Sequence, residues 1–291
     1  MNQIRIVTDS GSDISPDVAA ENQITVVPLK VRFATEEYTD HKDITVEQFY
    51  EMMQANAELP ATAAPSQGTF EETFRSLASE GATDIICVNM SYKLSATGQA
   101  AVGAAGAVAD TVNVHTFDTN MVSVGLGTIA TEAARAASAG RTLEEVRSLT
   151  EDLVARTKLF GVLNTLENLS KGGRIGRARA MLGSALSIKP IVEVRNGEVE
   201  EAAKPRTRRR AFLWIRDQML RDREQAGDIS HLAVGHGVAE DFEDFCAVLS
   251  DEFDISGKHM VGPIIGTHAG PGIIGLSYVT GPPNEFAVPR D

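Results

Sequence analysis

The strongest constraint on this chain is a rhythm in its first half, where short apolar runs alternate with amphipathic helix patterns. Residues 4–8 form a short, mostly apolar run into polar Asp9-Ser10-Gly11-Ser12-Asp13. Ser15-Pro16 then opens a helix, with proline at its favoured first position. Residues 24–31 read as a buried strand. Thr45 and Gln48 fit a capping box for a helix to residue 53. A Pro/Ala/Thr loop spans 59–66, and a helix spans 70–79. Strand 84–90, loop 91–95, an Ala/Gly-rich helix to 110, strand 112–117 and helix 121–139 continue the pattern. Thr142 and Glu145 form a second capping box, for a helix to 156. Strands separated by helices need right-handed crossovers, which make a parallel sheet.

The second half breaks this rhythm. Strand 159–163 leads to short helical pieces and a Gly-rich turn at 171–176. Segments 188–194 and 199–203 read as a hairpin, because Asn196-Gly197 supplies the positive φ angles of a tight turn. Helix 209–223, strand 232–235 and helix 242–253 follow. Strands 261–265 and 274–279 flank a Gly/Pro loop. The tail from Gly281 is Pro-rich and is expected to be loosely ordered. The expected fold class is α/β with two domains. Residues 1–157 form a mostly parallel sheet flanked by helices, and residues 158–291 form a mixed α/β sheet domain.

Composition removes several function classes. Of 291 residues, 43% are hydrophobic and 23% charged, so wholesale disorder is excluded. No stretch reaches the ~20 apolar residues of a membrane span, and the first residues lack the pattern of a signal peptide. The expected location is cytoplasmic. Forty acidic against 27 basic residues give a net charge of −13, which argues against nucleic acid as a partner. Lys204-Pro205-Arg206-Thr207-Arg208-Arg209-Arg210 is a local basic exception. Cys87 and Cys246 stand in apolar segments and read as buried, reduced thiols. His41, His115, His231, His236 and His259 form no ligand spacing, so no metal is expected. The sequence carries no nucleotide P-loop, nucleophile elbow or His-Glu-x-x-His motif. Gly125 and Gly127 fall inside a helix, where close packing explains them.

Small polar residues at element ends remain as candidates. In an open parallel sheet, ligands bind beyond the carboxyl ends of the strands, where loops 8–13, 91–97 and 118–120 fall. Ser95 stands where a loop enters a helix, as a cap or as part of an anion site. Asp9 and Asp13 fit caps better than general bases. Thr62 is, taken alone, an ordinary loop threonine. Arg174 lies in Gly172-Gly173-Arg174-Ile175-Gly176, either as an anion partner or in a solvated turn. His268 lies in Gly266-Thr267-His268-Ala269-Gly270-Pro271-Gly272, a loop placed to line a site.

These loops also carry a resemblance to the DegV family over about residues 4–279. The opening Ile6-Val7-Thr8-Asp9-Ser10 resembles the family's first strand and loop. Ser91-Tyr92-Lys93-Leu94-Ser95-Ala96-Thr97-Gly98-Gln99 resembles its Ser-x-x-Leu-Ser-Gly-Thr-Tyr-Gln motif. Gly173-Arg174-Ile175 and Gly266-Thr267-His268 resemble its Gly-Arg-Ile and final His segments, and the basic run resembles its Arg-Thr-Lys/Arg stretch. The resemblance implies a carrier rather than an enzyme. It would hold a long-chain fatty acid, with no other cofactor, and present the carboxylate to a separate ATP-dependent fatty acid kinase subunit. The acyl phosphate would feed phospholipid synthesis, with transient contact at a membrane surface or acyltransferase. Thr62, Ser95 and His268 would hold the carboxylate. Arg174, Arg206, Arg208 and Arg209 would serve phosphoryl transfer or kinase docking. The acyl chain could run beside the small residues 100–109, though close helix–sheet packing explains these equally well. Thr62-Ala63-Ala64-Pro65-Ser66 lacks two polar side chains of the family's Thr-Ser-Gln-Pro-Ser loop. The alternative is a small-molecule hydrolase or phosphotransferase using Asp9, Ser95 and His268.

Overall fold

Three β-sheets organise the molecule, and one long helix joins the two larger ones. The computed structural model describes residues 3–183 and 188–289. Met1 and Asn2, ahead of the expected opening strand, lie outside them, as do Arg290 and Asp291 of the expected tail. In chain order the first half comprises β1 (Ile4–Asp9), α1 (Pro16–Glu21), β2 (Ile24–Val27), β3 (Lys30–Phe33), β4 (Glu36–Thr39), α2 (Val46–Ala55), β5 (Ala61–Ala63), α3 (Gln67–Ser79), β6 (Asp84–Asn89), α4 (Thr97–Ala107), β7 (Asn113–Asp118), α5 (Ser123–Ser138) and α6 (Leu143–Arg156). The second half comprises β8 (Thr157–Val162), α7 (Glu167–Lys171), β9 (Ile191–Arg195), β10 (Glu198–Ala203), α8 (Arg208–Ala226), β11 (Ile229–His236), α9 (Phe242–Ser250), β12 (Gly257–Met260), α10 (Pro263–Ala269) and β13 (Ile274–Thr280).

The fold is α/β, as expected. The first sheet is parallel, in the order β2-β1-β6-β7. The second is mixed, in the order β10-β9-β8-β13-β11-β12, with only the β11–β12 pair parallel. Helix α5 packs against β1 on one side and β13 on the other. Its Leu126, Ile129, Ala130 and Ala133 are fully buried in the core between the sheets. Burying one such branched aliphatic contributes about 1.5–3 kcal/mol. Both capping boxes form at the expected residues. The hairpin turns at Asn196 and Gly197, with φ of 51° and 77°. Both cysteines are buried and free. A Cβ at Gly127 would lie 2.7 Å from the Ser12 carbonyl, so packing is what that glycine serves.

Four expectations change. The run 24–31 is two strands in different sheets, because Pro28, which has no N–H to give a ladder, separates β2 from β3. β3 joins β4 and β5 in a small antiparallel sheet, so the expected loop 59–66 contains a strand. The expected strand 261–265 is instead the start of α10. Gly262 is its N-cap and Pro263, with its preset φ, its first residue. The tail is packed, with Phe286 and Ala287 against the central core and the Pro289 carbonyl accepting from Arg135 at 2.9 Å. Among the described residues, no helix is long and apolar enough to cross a membrane.

Candidate functional site

Strand alternation prepares a cavity on one face of the second sheet. Leu159 and Gly161 of β8 and Val192 and Val194 of β9 turn to that face. Val162, Ile191 and Ile274 turn to the opposite core, under α8 and α9. Ile264 and Ile265 of α10, with Met90 and Val122, close the cavity from above. It holds about 880 Å³ of atom-free space, part of it open to solvent, and its walls are almost wholly apolar.

Besides Ser123, which donates to Asp13, four polar residues stand in these walls. Thr62, Ser95, Arg174 and His268 all line this cavity. Thr62 comes from β5 of the small sheet, Ser95 from the loop between β6 and α4, Arg174 from the turn after α7, and His268 from the last turn of α10. Thr62 Oγ1 lies 3.0 Å from His268 Nε2. Burial, reinforced by the Arg174 guanidinium, pushes the His268 pKa down to about 4, so the ring is neutral at pH 7. With its proton on Nε2 the ring donates to Thr62, and the Thr62 hydroxyl is then free to donate to an anion. A Cβ at Gly172 would overlap His268 Nδ1, so only glycine lets this turn lie against the ring. Arg174 staples two loops, donating to the Gly172 carbonyl at 2.7 Å and the Leu94 carbonyl at 3.3 Å.

Ser95 is not the N-cap of α4. Ala96 holds that position and makes no side-chain cap bond. Ser95 Oγ lies 2.8 Å from Thr97 Oγ1 and accepts from the Thr97 amide at 3.3 Å. An anion at the mouth therefore meets a hydroxyl and the positive end of a helix whose N-cap residue gives no side-chain bond. Ala63 faces away from the cavity, because it follows Thr62 on a strand and pairs with exposed Lys30. A polar side chain at 63 would therefore not reach the same place as Thr62.

Sequence reasoning did not find how Tyr50 and Asp13 hold the site together. Tyr50 of α2 donates to the Val261 carbonyl at 3.0 Å. Its hydroxyl sits where a Cβ at Gly237 or Gly266 would be, so two glycines admit it. This docks the small sheet, and Thr62 with it, against α10. Asp13, in the left-handed region at φ 53°, accepts from Gly262 N at 2.9 Å and Ser123 Oγ at 2.5 Å. Burial raises its pKa to about 7, against the lowering effect of both hydrogen bonds. Neither role has a local signal, since each partner lies more than a hundred positions away.

Other expected features lie elsewhere. Asp9 is fully buried and accepts from Gly11 N, Met90 N and Asn89 Nδ2 at 3.0, 2.9 and 3.1 Å. It organises loops as a cap, and burial raises its pKa to about 6. Among the described residues no hydrogen bond joins Ser95 to His268, so no Ser–His–Asp relay is assembled. The small residues of 100–109 pack on helices instead of lining the cavity. Ala101 and Ala104 lie against Phe70 and Phe74, and a Cβ at Gly103 would press on Gln67. Arg208 is not a free basic group. It forms a two-pronged pair with Asp241 at 2.7 and 2.8 Å and donates to the Gly272 carbonyl at 2.7 Å. Arg206 and Arg209 are exposed and stand outside the cavity lining. Among the described residues no group of three His, Cys, Asp or Glu is placed to hold a metal ion.

The chain's relatives agree with this architecture. Residues 3–281 match the family model described as uncharacterised protein, DegV family. A DegV domain-containing protein of Halalkalibacterium halodurans is 31% identical, over 96% of this chain and 99% of its own. Among solved structures, a fatty-acid-binding DegV family protein from Thermus thermophilus superposes with a TM-score of 0.87 at 29% identity, over 96% of this chain and 99% of that one. DegV of Bacillus subtilis, described as a fatty acid binding protein, gives 0.85 at 26% identity, over 96% and 100%. The chain belongs to the DegV family.

Proposed function

We propose that this protein binds one long-chain fatty acid, with the acyl chain in the apolar cavity and the carboxylate at Thr62, Ser95 and His268. The observation that carries this reading is a mostly apolar cavity on which Thr62, Ser95, Arg174 and His268 converge. A buried carboxylate is costly unless it is hydrogen-bonded, and hydroxyl donors offset that cost without a full counter-charge. Each buried methylene then contributes about 0.8 kcal/mol. Fatty-acid binding by the DegV proteins of T. thermophilus and B. subtilis supports the reading.

The protein acts as a cytoplasmic carrier rather than as an enzyme. The Thr62–His268 contact is the hydroxyl–imidazole pair at the mouth, but among the described residues no carboxylate is hydrogen-bonded behind the ring to orient it, and chemistry on the bound carboxylate falls to a separate ATP-dependent kinase subunit. Arg174 stands at the mouth to meet the transferred phosphoryl group, and exposed Arg206 and Arg209 offer positive charge for docking on an otherwise acidic chain. The acyl phosphate passes on to phospholipid synthesis through a membrane-surface or acyltransferase contact.

Mass spectrometry of the denatured, purified protein tests the binding. A co-purified long-chain fatty acid is expected, and delipidated protein should gain thermal stability when it is restored. A polar metabolite in its place would favour a small-molecule hydrolase or phosphotransferase.

A further inference from the structure

Two glycines face each other across the floor of the cavity. Gly161 of β8 and Gly275 of β13 are register partners in the antiparallel ladder, and both line the cavity. Glycine inside a strand weakens it, and it marks places where a ligand or another backbone comes close. Neither residue has a positive φ, so no turn demands glycine.

Packing does not demand it at 275 either. A Cβ there would meet only the Phe160 carbonyl, at 3.8 Å, an ordinary contact. A Cβ at 161 would be tighter, 3.3 Å from Ile273 Cδ1 and 3.4 Å from Val192 Cγ2. Position 275 could carry a side chain as far as the protein is concerned, and that side chain would stand in the cavity.

The pair's place along the cavity gives it meaning. On the mouth side, Leu163 packs with Leu169 and Ile175, next to Ala269 and Leu94. On the far side, Leu159 packs with Val194, Met90 and Ile264. Gly161 lies between Leu159 and Leu163 in sequence, so the pair is the waist between the two ends.

We infer that the Gly161–Gly275 pair is a selectivity element, a bare stretch of backbone over which the acyl chain passes from the mouth half to the far half of the cavity. The inference rests on the fatty-acid reading above. It predicts that chain-length preference is written at position 275, apart from the carboxylate-binding residues.

The test is the affinity of delipidated wild type, Gly275→Ala and Gly275→Val for saturated fatty acids of graded length, from about ten to eighteen carbons. In the wild type each added methylene should tighten binding, about fourfold at full burial. In Gly275→Val the climb should stop at the length that reaches the waist, because exclusion of even three methylenes costs about 60-fold. Gly275→Ala should give an intermediate plateau. Ligand-free melting should be unchanged or higher in both variants, since alanine and valine suit a strand better than glycine. A length series in both variants that parallels or overlays the wild-type series overturns the inference while leaving fatty-acid binding intact. A wild type that binds no fatty acid of any length overturns the underlying reading, and this inference with it.

Discussion

Thr62 Oγ1 and His268 Nε2 stand 3.0 Å apart although 206 positions separate them in the chain. One residue lies on the small sheet and the other on α10, and Tyr50 locks these two units together. Ser95 reaches the same mouth from the first sheet and Arg174 from the second half. The head-group site is thus a junction of separate parts.

Thr62→Val keeps the shape of the side chain and removes its hydroxyl. A bound carboxylate loses a donor, and the His268 ring loses its partner. A buried polar group left without a partner costs about 1–3 kcal/mol, so fatty-acid affinity should fall roughly 5- to 150-fold. Calorimetric titration of delipidated protein checks this. Unchanged affinity would remove Thr62 from the site.

Ser95→Ala separates binding from folding. Ser95 lies before the N-cap Ala96 and gives α4 one long hydrogen bond, from the Thr97 amide at 3.3 Å, so only a small part of the helix's stability depends on it. Affinity should drop by a similar factor, roughly 5- to 150-fold, while the ligand-free melting temperature stays near that of the wild type. A large loss of stability with normal affinity would make Ser95 a structural residue only.

Asp13 should leave its mark on the pH dependence of stability. Its folded pKa is raised to about 7 from an ordinary value of 3.8. Between those values the folded protein holds a proton that the unfolded chain has released. Its contribution is therefore fully present below about pH 3.8 and is lost as pH rises towards 7. Asp13→Asn removes this term. The stability of wild type minus that of Asp13→Asn should fall by up to about 4 kcal/mol from pH 4 to 7.5, then level off. Urea unfolding at a series of pH values measures it, and a flat difference would show that Asp13 does not titrate in this way.

The arginines should divide into two kinds. Arg208→Ala breaks the pair with Asp241 and frees the Gly272 carbonyl, so it should cost about 1–3 kcal/mol of stability. Arg209 is exposed and makes no ion pair or side-chain hydrogen bond among the described residues, so Arg209→Glu should leave stability unchanged. With a cognate kinase it should slow acyl-phosphate formation, most strongly at low salt. Arg174→Ala also loses the staple to the Leu94 and Gly172 carbonyls, so it should weaken fatty-acid binding modestly while acyl-phosphate formation collapses. Unchanged kinase-coupled turnover in both Arg209→Glu and Arg174→Ala would sink the docking proposal.

Local pattern alone determined much of this protein. The strand–helix rhythm implied the parallel first sheet, and Thr45 with Gln48, Thr142 with Glu145, and Asn196-Gly197 announced their own caps and turn. Such features are closed by residues within a few positions of one another, so their physics is visible in a short window. The motif around Ser91–Gln99 and the segments at Arg174 and His268 pointed to residues that do share a cavity. Tertiary structure decided the rest. Apolar residues at 261–265 suit a buried strand or a buried helix equally well, and Gly262-Pro263 with the docking of Tyr50 settled on a helix. The small residues at 100–109 could not reveal whether they cleared room for a ligand or for α3, because smallness is the same signal in both cases. Nor could Gly161 and Gly275 announce that they meet, since strand register is set by the pairing of segments more than a hundred residues apart.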